Sequence, residues 1–208
     1  MSGMNSGAMF TVAVVVVIAL VGGLLIERGG GVASQNLMST YVDQANGLKL
    51  QLGVNSSEIG PGQSLQVSIS EVNRLGTLNN VSTANLWQAV GLSLSSCGRG
   101  PLPFGMAIYR GNVDASNVTS AKPLSLFPPV ACPDFVRLIT GYLFQPSNSM
   151  ATILPSFGNQ SPTNVSSTLT LTGEYMGAQE VAFSPGLYTL VAGDEWGSIL
   201  FLNFTVAA

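Results

Sequence analysis

The sequence has no histidine and very little charge. Seven basic and ten acidic residues occur among 208, which gives a net charge of −3. The absence of histidine excludes Ser–His–Asp and Cys–His nucleophiles and the imidazole ligands of most zinc and copper sites. No basic cluster is present to neutralise phosphates, so we expect no nucleic-acid partner. We also expect no enzyme activity, no cofactor and no metal, and good tolerance of acid because so few groups titrate.

Charge is also missing from one long apolar run near the N-terminus. Residues 9–26, MFTVAVVVVIALVGGLLI, are about long enough to cross a bilayer as a helix. The segment before this run has no Lys or Arg, unlike a typical secretory signal. We therefore predict a retained membrane anchor over residues 1–28, with the lipid bilayer as its partner. Cleavage near Ala33, in GGGVAS, is the alternative.

The segment 29–47 is predicted to connect the anchor to the main domain. Gly29 to Gly31 disfavour a helix and indicate a hinge. After them, Leu37, Tyr41 and Ala45 are spaced four apart, and Gly47 follows. This spacing predicts a short amphipathic stalk helix that ends at the glycine.

From Leu48 onwards the apolar residues alternate, which indicates β-strands. The predicted strands are 48–54, 64–70, 89–94, 104–109, 135–144, 150–154, 167–172, 187–192 and 198–206. Short alternating runs separated by Gly, Pro and Asn are typical of an antiparallel β-sandwich. Tyr188, near the start of the penultimate strand, has the position of an immunoglobulin-type tyrosine corner. The sequence predicts a mainly β, immunoglobulin-like sandwich over 48–208, preceded by one transmembrane helix.

Only two cysteines are present, Cys97 and Cys132, each in a segment rich in Gly or Pro. An even number of cysteines in an exported chain predicts a disulfide. Closing this loop of 35 residues would contribute roughly 3–4 kcal/mol by the loop-entropy model. No Cys-x-x-Cys motif is present, which disfavours a redox role.

The glycosylation signal Asn-x-Ser/Thr recurs along the chain, which is typical of an exposed, secreted surface. The candidate acceptors are Asn55, Asn80, Asn117, Asn164 and Asn203. Asn159 is a weaker candidate because a proline follows its serine. We predict a glycoprotein.

The acids Asp194 and Glu195 are adjacent in GDEWG, between two apolar strands. Gly193 and Gly197 flank them and favour a tight turn. Neighbouring strand residues point to opposite faces, so the two carboxylates are not expected to converge on one substrate. The pattern favours a turn, with Trp196 covering the end of the sandwich. A binding tip formed by Asp194, Glu195 and Trp196 is the alternative, and a catalytic pair is the third interpretation.

The chain resembles archaeal cell-surface proteins of unknown function that join an N-terminal membrane segment to an immunoglobulin-like ectodomain. The resemblance is carried by the run 9–26, NNVSTANLW (79–87), the cysteine-flanked middle and YTLVAGDEWG (188–197). It implies a location at the cell surface and no specific activity.

These observations predict a single-pass membrane protein whose C-terminal domain lies outside the cytoplasm. Its expected role is structural or interactive, with other cell-surface proteins or copies of itself as partners. One alternative is a pilin-like or strand-donating filament subunit, in which LKLQLGV (48–54) would be the donated strand. Another is an exported hydrolase that uses two carboxylates.

Overall fold

The protein was analysed as a computed structural model, which describes residues 37–43, 46–84, 91–98, 100–132, 138–155 and 161–208. All of them belong to one compact unit, Ser34–Ala208. The strands are β1 (Leu37–Thr40), β2 (Leu48–Val54), β3 (Glu58–Ile59), β4 (Leu65–Asn73), β5 (Asn79–Ser82), β6 (Phe104–Arg110), β7 (Gly141–Phe144), β8 (Met150–Leu154), β9 (Thr163–Asn164), β10 (Ser166–Leu171), β11 (Gly173–Met176), β12 (Gln179–Ala182), β13 (Gly186–Asp194) and β14 (Ile199–Val206). The described residues contain no helix, which confirms a mainly β fold.

The strands form three four-stranded sheets and one separate hairpin. The first sheet has the order β1-β2-β4-β10, the second β3-β14-β13-β6 and the third β5-β7-β8-β9, while β11 and β12 pair with each other. Pairing is antiparallel except between β3 and β14, where Thr205 lies opposite Glu58 and Val206 opposite Ile59 in parallel register. The expectation of a purely antiparallel arrangement therefore fails at this one edge.

Side chains from the three sheets share one buried core. Alternation places the leucines of β2 inward, and Leu48, Leu50 and Leu52 are fully buried. On the second sheet, Tyr188 stacks on Phe204 with ring centroids 5.2 Å apart. Its hydroxyl donates to the Ser184 carbonyl at 2.7 Å, the hydrogen bond of a tyrosine corner. The core is thus formed by the apolar side chains at alternate positions of the strands, which point inward.

Two predicted strands are shorter in the structure than the sequence indicated. Of residues 138–144, the described part of the predicted strand 135–144, only Gly141–Phe144 is a strand, and Leu138 is 72% exposed. Of the segment 89–94, the described part contributes an isolated bridge from Ser93 to Met106. The other described residues of these two segments are irregular. Residues 89–90 and 135–137 lie outside the described residues.

The predicted stalk helix is wrong over the part that can be compared. Leu37–Thr40 is strand β1, paired antiparallel with residues 51–54 of β2. Gly47 has φ 68° and forms part of the turn that leads into β2. The helical spacing involved only three apolar residues and was a weak signal. Pairing with β2 satisfies the backbone N–H and C=O groups of residues 37–40 instead. LKLQLGV, the candidate donated strand, is an internal strand between β1 and β4.

The predicted anchor, 1–28, lies outside the described residues. Within the part of the chain that the structure does describe, no helix has the length and apolarity needed to cross a bilayer. The membrane segment therefore stays a prediction from sequence.

Candidate functional site

The turn between β13 and β14 is built around one carboxylate. Asp194 Oδ1 accepts hydrogen bonds from the backbone N–H groups of Trp196 and Ser198, each at 2.9 Å. Gly197 has φ 98°, a left-handed conformation that favours glycine. Gly193, in contrast, lies within β13 opposite Gly105, so its expected role in the turn was wrong. The tight turn itself is present as predicted.

The two acids of this turn are not at the surface. Asp194 is 1% exposed and Glu195 is fully buried. The Glu195 backbone N–H donates to the Pro103 carbonyl at 2.8 Å, which ties the turn to the residue just before β6. Substrate in solution does not reach either carboxylate in this conformation. In the structure, therefore, the two acids of the candidate binding tip are buried and not exposed.

A third acid, Glu71 of β4, lies in the same region of the core. Its side chain is fully buried, and neither carboxylate oxygen has a hydrogen-bond partner among the described residues. The sequence predicted no particular role for this residue. The signal was present, because alternation from Leu65, Val67 and Ile69 places position 71 on the inward face.

Burial and the repulsion of nearby charges make Glu71 and Asp194 hard to ionise. Burial raises the pKa of Glu71 well above its usual value, and the nearby charges of Asp194 and Asp43 raise it further. Burial also raises the pKa of Asp194, although hydrogen bonds from Ser198 and Trp196 partly oppose the shift. The charge of Asp43, just after β1, also raises the pKa of both groups.

Trp196 covers this end of the core, as the sequence predicted. Its ring meets Tyr142 edge-on at 5.9 Å between centroids and Phe144 at 6.3 Å. The indole Nε1–H donates to the Ser82 carbonyl at 2.7 Å. The side chain is half-buried and joins the second sheet to β5 of the third.

A cavity of about 410 Å³ lies beside this tryptophan, and we call it the Trp196 groove. Its lining consists of neutral residues: Asn46, Gly47, Leu75, Asn79, Asn80, Val81, Ser82 and Trp196. β5 is an edge strand among the described strands of its sheet, so the groove lies along a sheet edge. Amide, hydroxyl and indole groups thus converge in one concave surface.

A second cavity of about 400 Å³ lies near the disulfide and is rich in serine. Its lining includes Ser93, Ser95, Ser96, Ser125 and Phe127. No charged side chain is among its lining residues. Across the described ranges, no group of three or more Cys, Asp or Glu side chains is arranged to hold a metal ion.

The predicted disulfide is present. Cys97 and Cys132 are joined with their Cα atoms 5.5 Å apart. Both residues are exposed and lie outside the strands, and Ser96 and Gly98, the neighbours of Cys97, line the serine-rich cavity. The bridge therefore fastens surface loops together and lies outside the core.

The glycosylation candidates differ in how available their amides are. Asn80, Asn164 and Asn203 are exposed, whereas Asn55 and Asn117 are half-buried. The Asn203 amide accepts from the Thr189 hydroxyl at 2.8 Å and donates to Asn112 at 3.3 Å. Asn80 makes no side-chain hydrogen bond to the described residues, and its side chain is exposed. Use of these sites stays a prediction, and Asn159 lies outside the described residues.

Comparisons with known proteins find little that resembles this chain. No protein-family model matches it, and no curated protein matches it. Among solved structures, a beta-glucosidase from Listeria innocua in complex with gluconolactone aligns with 11% identity and a TM-score of 0.32, covering 84% of this chain and 16% of the enzyme. The same enzyme in complex with isofagomine aligns with 13% identity and a TM-score of 0.30, over the same shares. Similarity at this level supports no inference about fold or activity.

Proposed function

We propose that this chain is a membrane-anchored, extracytoplasmic protein with an interaction or structural role at the cell surface. Residues 9–26 would hold it in the bilayer, and the β-rich unit would be the exposed part. The interaction partner would be another surface component or a second copy of the chain. This role requires no chemistry by the protein itself.

The single observation that carries the proposal is the exposed disulfide between Cys97 and Cys132. Reducing systems of the cytosol attack accessible disulfides, so such bridges persist mainly in exported proteins. An exposed pair makes this argument stronger than a buried pair would. An oxidising compartment and an N-terminal apolar run together favour an anchored ectodomain.

We further propose that the unit is an immunoglobulin-like β-sandwich. A core shared by several sheets and the Tyr188–Ser184 hydrogen bond support this assignment. The absence of activity is supported by the enclosure of Asp194, Glu195 and Glu71, since a glycosidase needs its carboxylates at an open cleft.

The location can be tested by expressing the full chain in bacteria and separating membranes from soluble protein. We expect the chain to stay in the membrane after an alkaline carbonate wash. Protease added to spheroplasts should degrade the β-rich unit, because it lies outside the cytoplasm. The disulfide should protect both cysteines from a maleimide until a reductant is added.

The matched control is the double variant Cys97→Ser and Cys132→Ser, which should keep the membrane location while losing the reductant-dependent labelling. Mass spectrometry of the mature N-terminus distinguishes a retained anchor from cleavage near Ala33. A soluble, protease-protected chain with free thiols would contradict the proposal. Filaments in negative-stain images would favour the pilin-like alternative instead.

A further inference from the structure

We propose that the Trp196 groove binds a neutral saccharide unit. This inference rests on the extracytoplasmic location proposed above, where glycans are abundant, and it gives the interaction role a chemical class of ligand. The groove volume of about 410 Å³ lies within the range of roughly 300–1,000 Å³ seen for small-molecule sites. That space admits a sugar ring.

The hydrogen-bonding groups of the groove suit hydroxyl groups. Asn80 offers an amide donor and acceptor that make no bond to the described residues, and Ser82 offers a hydroxyl at the same strand edge. Asn79 is already held in place, because its Nδ2 donates to the Asn46 carbonyl at 2.6 Å. The Asn46 amide is fixed in turn by Asp43, at 3.0 Å. Pre-set amides lose little rotamer freedom when a ligand binds.

The groove carries no charge of its own, which selects against ionic ligands. Every lining residue is neutral. Asp43, the acid that holds the lining residue Asn46, is engaged with both the backbone and the side-chain amide of that asparagine. A phosphate or carboxylate would find no cationic partner among the lining residues, and a cation would find no carboxylate there. A neutral, hydroxyl-rich molecule meets the groove's chemistry best.

Apolar surface completes the site. Trp196 and Leu75 both line the groove, and Leu75 is 42% exposed. A sugar ring presents C–H groups on one face and hydroxyls at its rim. The indole and the leucine can pack against the C–H face of the sugar, while the asparagines form hydrogen bonds with its hydroxyl groups.

The same edge is less suited to an added peptide strand. Strand addition needs free backbone groups along the edge. The outward Ser82 carbonyl already accepts the indole N–H of Trp196, and the Asn79 side chain bridges to Asn46. These bonds occupy part of the edge that a peptide would use.

Two sources of saccharide fit this chemistry. Asn80, Val81 and Ser82 form a glycosylation signal that lies within the groove itself. A glycan attached to Asn80 would place its first sugar at the groove, whereas an unmodified Asn80 leaves it open to a glycan from another molecule.

The test uses the full chain in a detergent without a sugar headgroup, made in an oxidising host that does not N-glycosylate. The probes are methyl α-mannoside, methyl β-glucoside, methyl β-galactoside and N-acetylglucosamine, followed by saturation-transfer NMR and tryptophan fluorescence. We expect at least one probe to bind with a dissociation constant on the order of 1–10 mM. Asn80→Ala should weaken that binding at least about fivefold.

Asn164→Ala is the matched control, because Asn164 is also exposed, is also in a glycosylation signal and lies on the opposite edge strand of the same sheet. It should bind the probe as the unchanged chain does. The same assay is repeated with protein from an N-glycosylating host. If glycosylation blocks probe binding, and Asn80→Gln restores it while Asn164→Gln does not, the glycan on Asn80 is the occupant of the groove. Binding that persists there identifies an external glycan.

The proposal is overturned if none of the four probes binds the unglycosylated chain, or if Asn80→Ala binds as well as the unchanged chain. Binding of the peptide acetyl-pentaalanine amide in place of every sugar also overturns it, in favour of strand addition. Because these assays use purified protein, their outcome is independent of the membrane and protease tests of location. A failure of one proposal is therefore distinguishable from a failure of the other.

Discussion

Two consecutive hairpins use similar residues with opposite results. The hairpin β11–β12 turns near Gly177, with φ 66°, and its strand β12 is exposed along its whole length. The hairpin β13–β14 turns at Gly197, with φ 98°, and buries Asp194 and Glu195. Both contain glycine and acids at or near the turn. The difference teaches that local sequence determines where a chain turns, whereas the elements packed around the turn determine whether its charges meet water.

The difference between the two hairpins is tested most strongly by removing the side chain that covers the buried turn. Trp196→Ala should lower the free energy of unfolding by roughly 3 kcal/mol, because it deletes aromatic packing and the bond to Ser82. Met176→Ala, at the 68% exposed tip of the other hairpin, should change it by less than about 0.5 kcal/mol. Urea unfolding of both variants checks this, and equal losses would contradict it.

A smaller effect is expected from the carboxylate that organises the buried turn. Asp194→Ala should cost about 2 kcal/mol, since two backbone N–H groups, at Trp196 and Ser198, lose their acceptor. Asp194→Asn keeps an oxygen in place and should cost less than the alanine variant. Glu180→Ala in exposed β12 is the control and should be nearly neutral. The idea fails if Asp194→Ala proves as harmless as Glu180→Ala in thermal unfolding.

The buried acids also predict how stability depends on pH. The pKa values of Glu71 and Asp194 are raised in the folded state, mainly by burial. Their contribution is fully present below the unfolded pKa values of about 4. It is lost as pH rises through the raised folded values, because the unfolded state ionises first. We therefore expect a higher unfolding temperature at pH 4 than at pH 7.

Glu71→Gln sharpens that test, because it removes the most strongly shifted acid. The variant should gain stability at pH 7 relative to pH 4 and so flatten the pH profile. Glu180→Gln, which changes an exposed acid in β12, should leave the profile as it is. A melting temperature that falls steadily from pH 7 to pH 4 in the unchanged chain would show that the buried acids do not dominate.

The smallest effect concerns the exposed hairpin. Glu174 of β11 pairs with Arg110 of β6 at 3.2 Å, and the side chains are 19% and 55% exposed, respectively. Solvent screens such a pair, so Glu174→Gln should change stability by no more than about 0.5 kcal/mol. Chemical unfolding in low and high salt checks this. A loss above about 1.5 kcal/mol would mean that the exposed hairpin depends on charge as much as the buried turn does.

Much of the strand pattern was predictable because alternation reports burial directly. The bounds of β2 and β8 match the sequence prediction, and the disulfide was found from two isolated cysteines. The segment 37–40 was not predictable as a strand, since its pairing partner is more than ten residues away and helical spacing dominates locally. Tertiary pairing overrode a weak local signal.

The candidate site was less predictable than the fold. The GDEWG turn was identified, yet its burial depends on Pro103, Tyr142 and Phe144, which are distant in sequence. The alternation of apolar residues in β4 predicts that Glu71 points inward. It does not predict which side chains from other strands surround this acid. The groove brings together residues 46–47, 75, 79–82 and 196, and only the folded sheets make them adjacent.

The parallel pairing of β3 with β14 has a consequence for the time course of folding. Glu58 and Thr205 are joined across most of the chain, so this pair closes a very long loop. Long-range pairings of this kind form late, because the loop entropy must be overcome before the contacts stabilise anything. During synthesis, the second sheet cannot be completed until residues 199–206 have emerged. Until then β3 lacks its partner strand and β13 lacks one of its two neighbours, so unpaired strand edges stay exposed in the nascent chain.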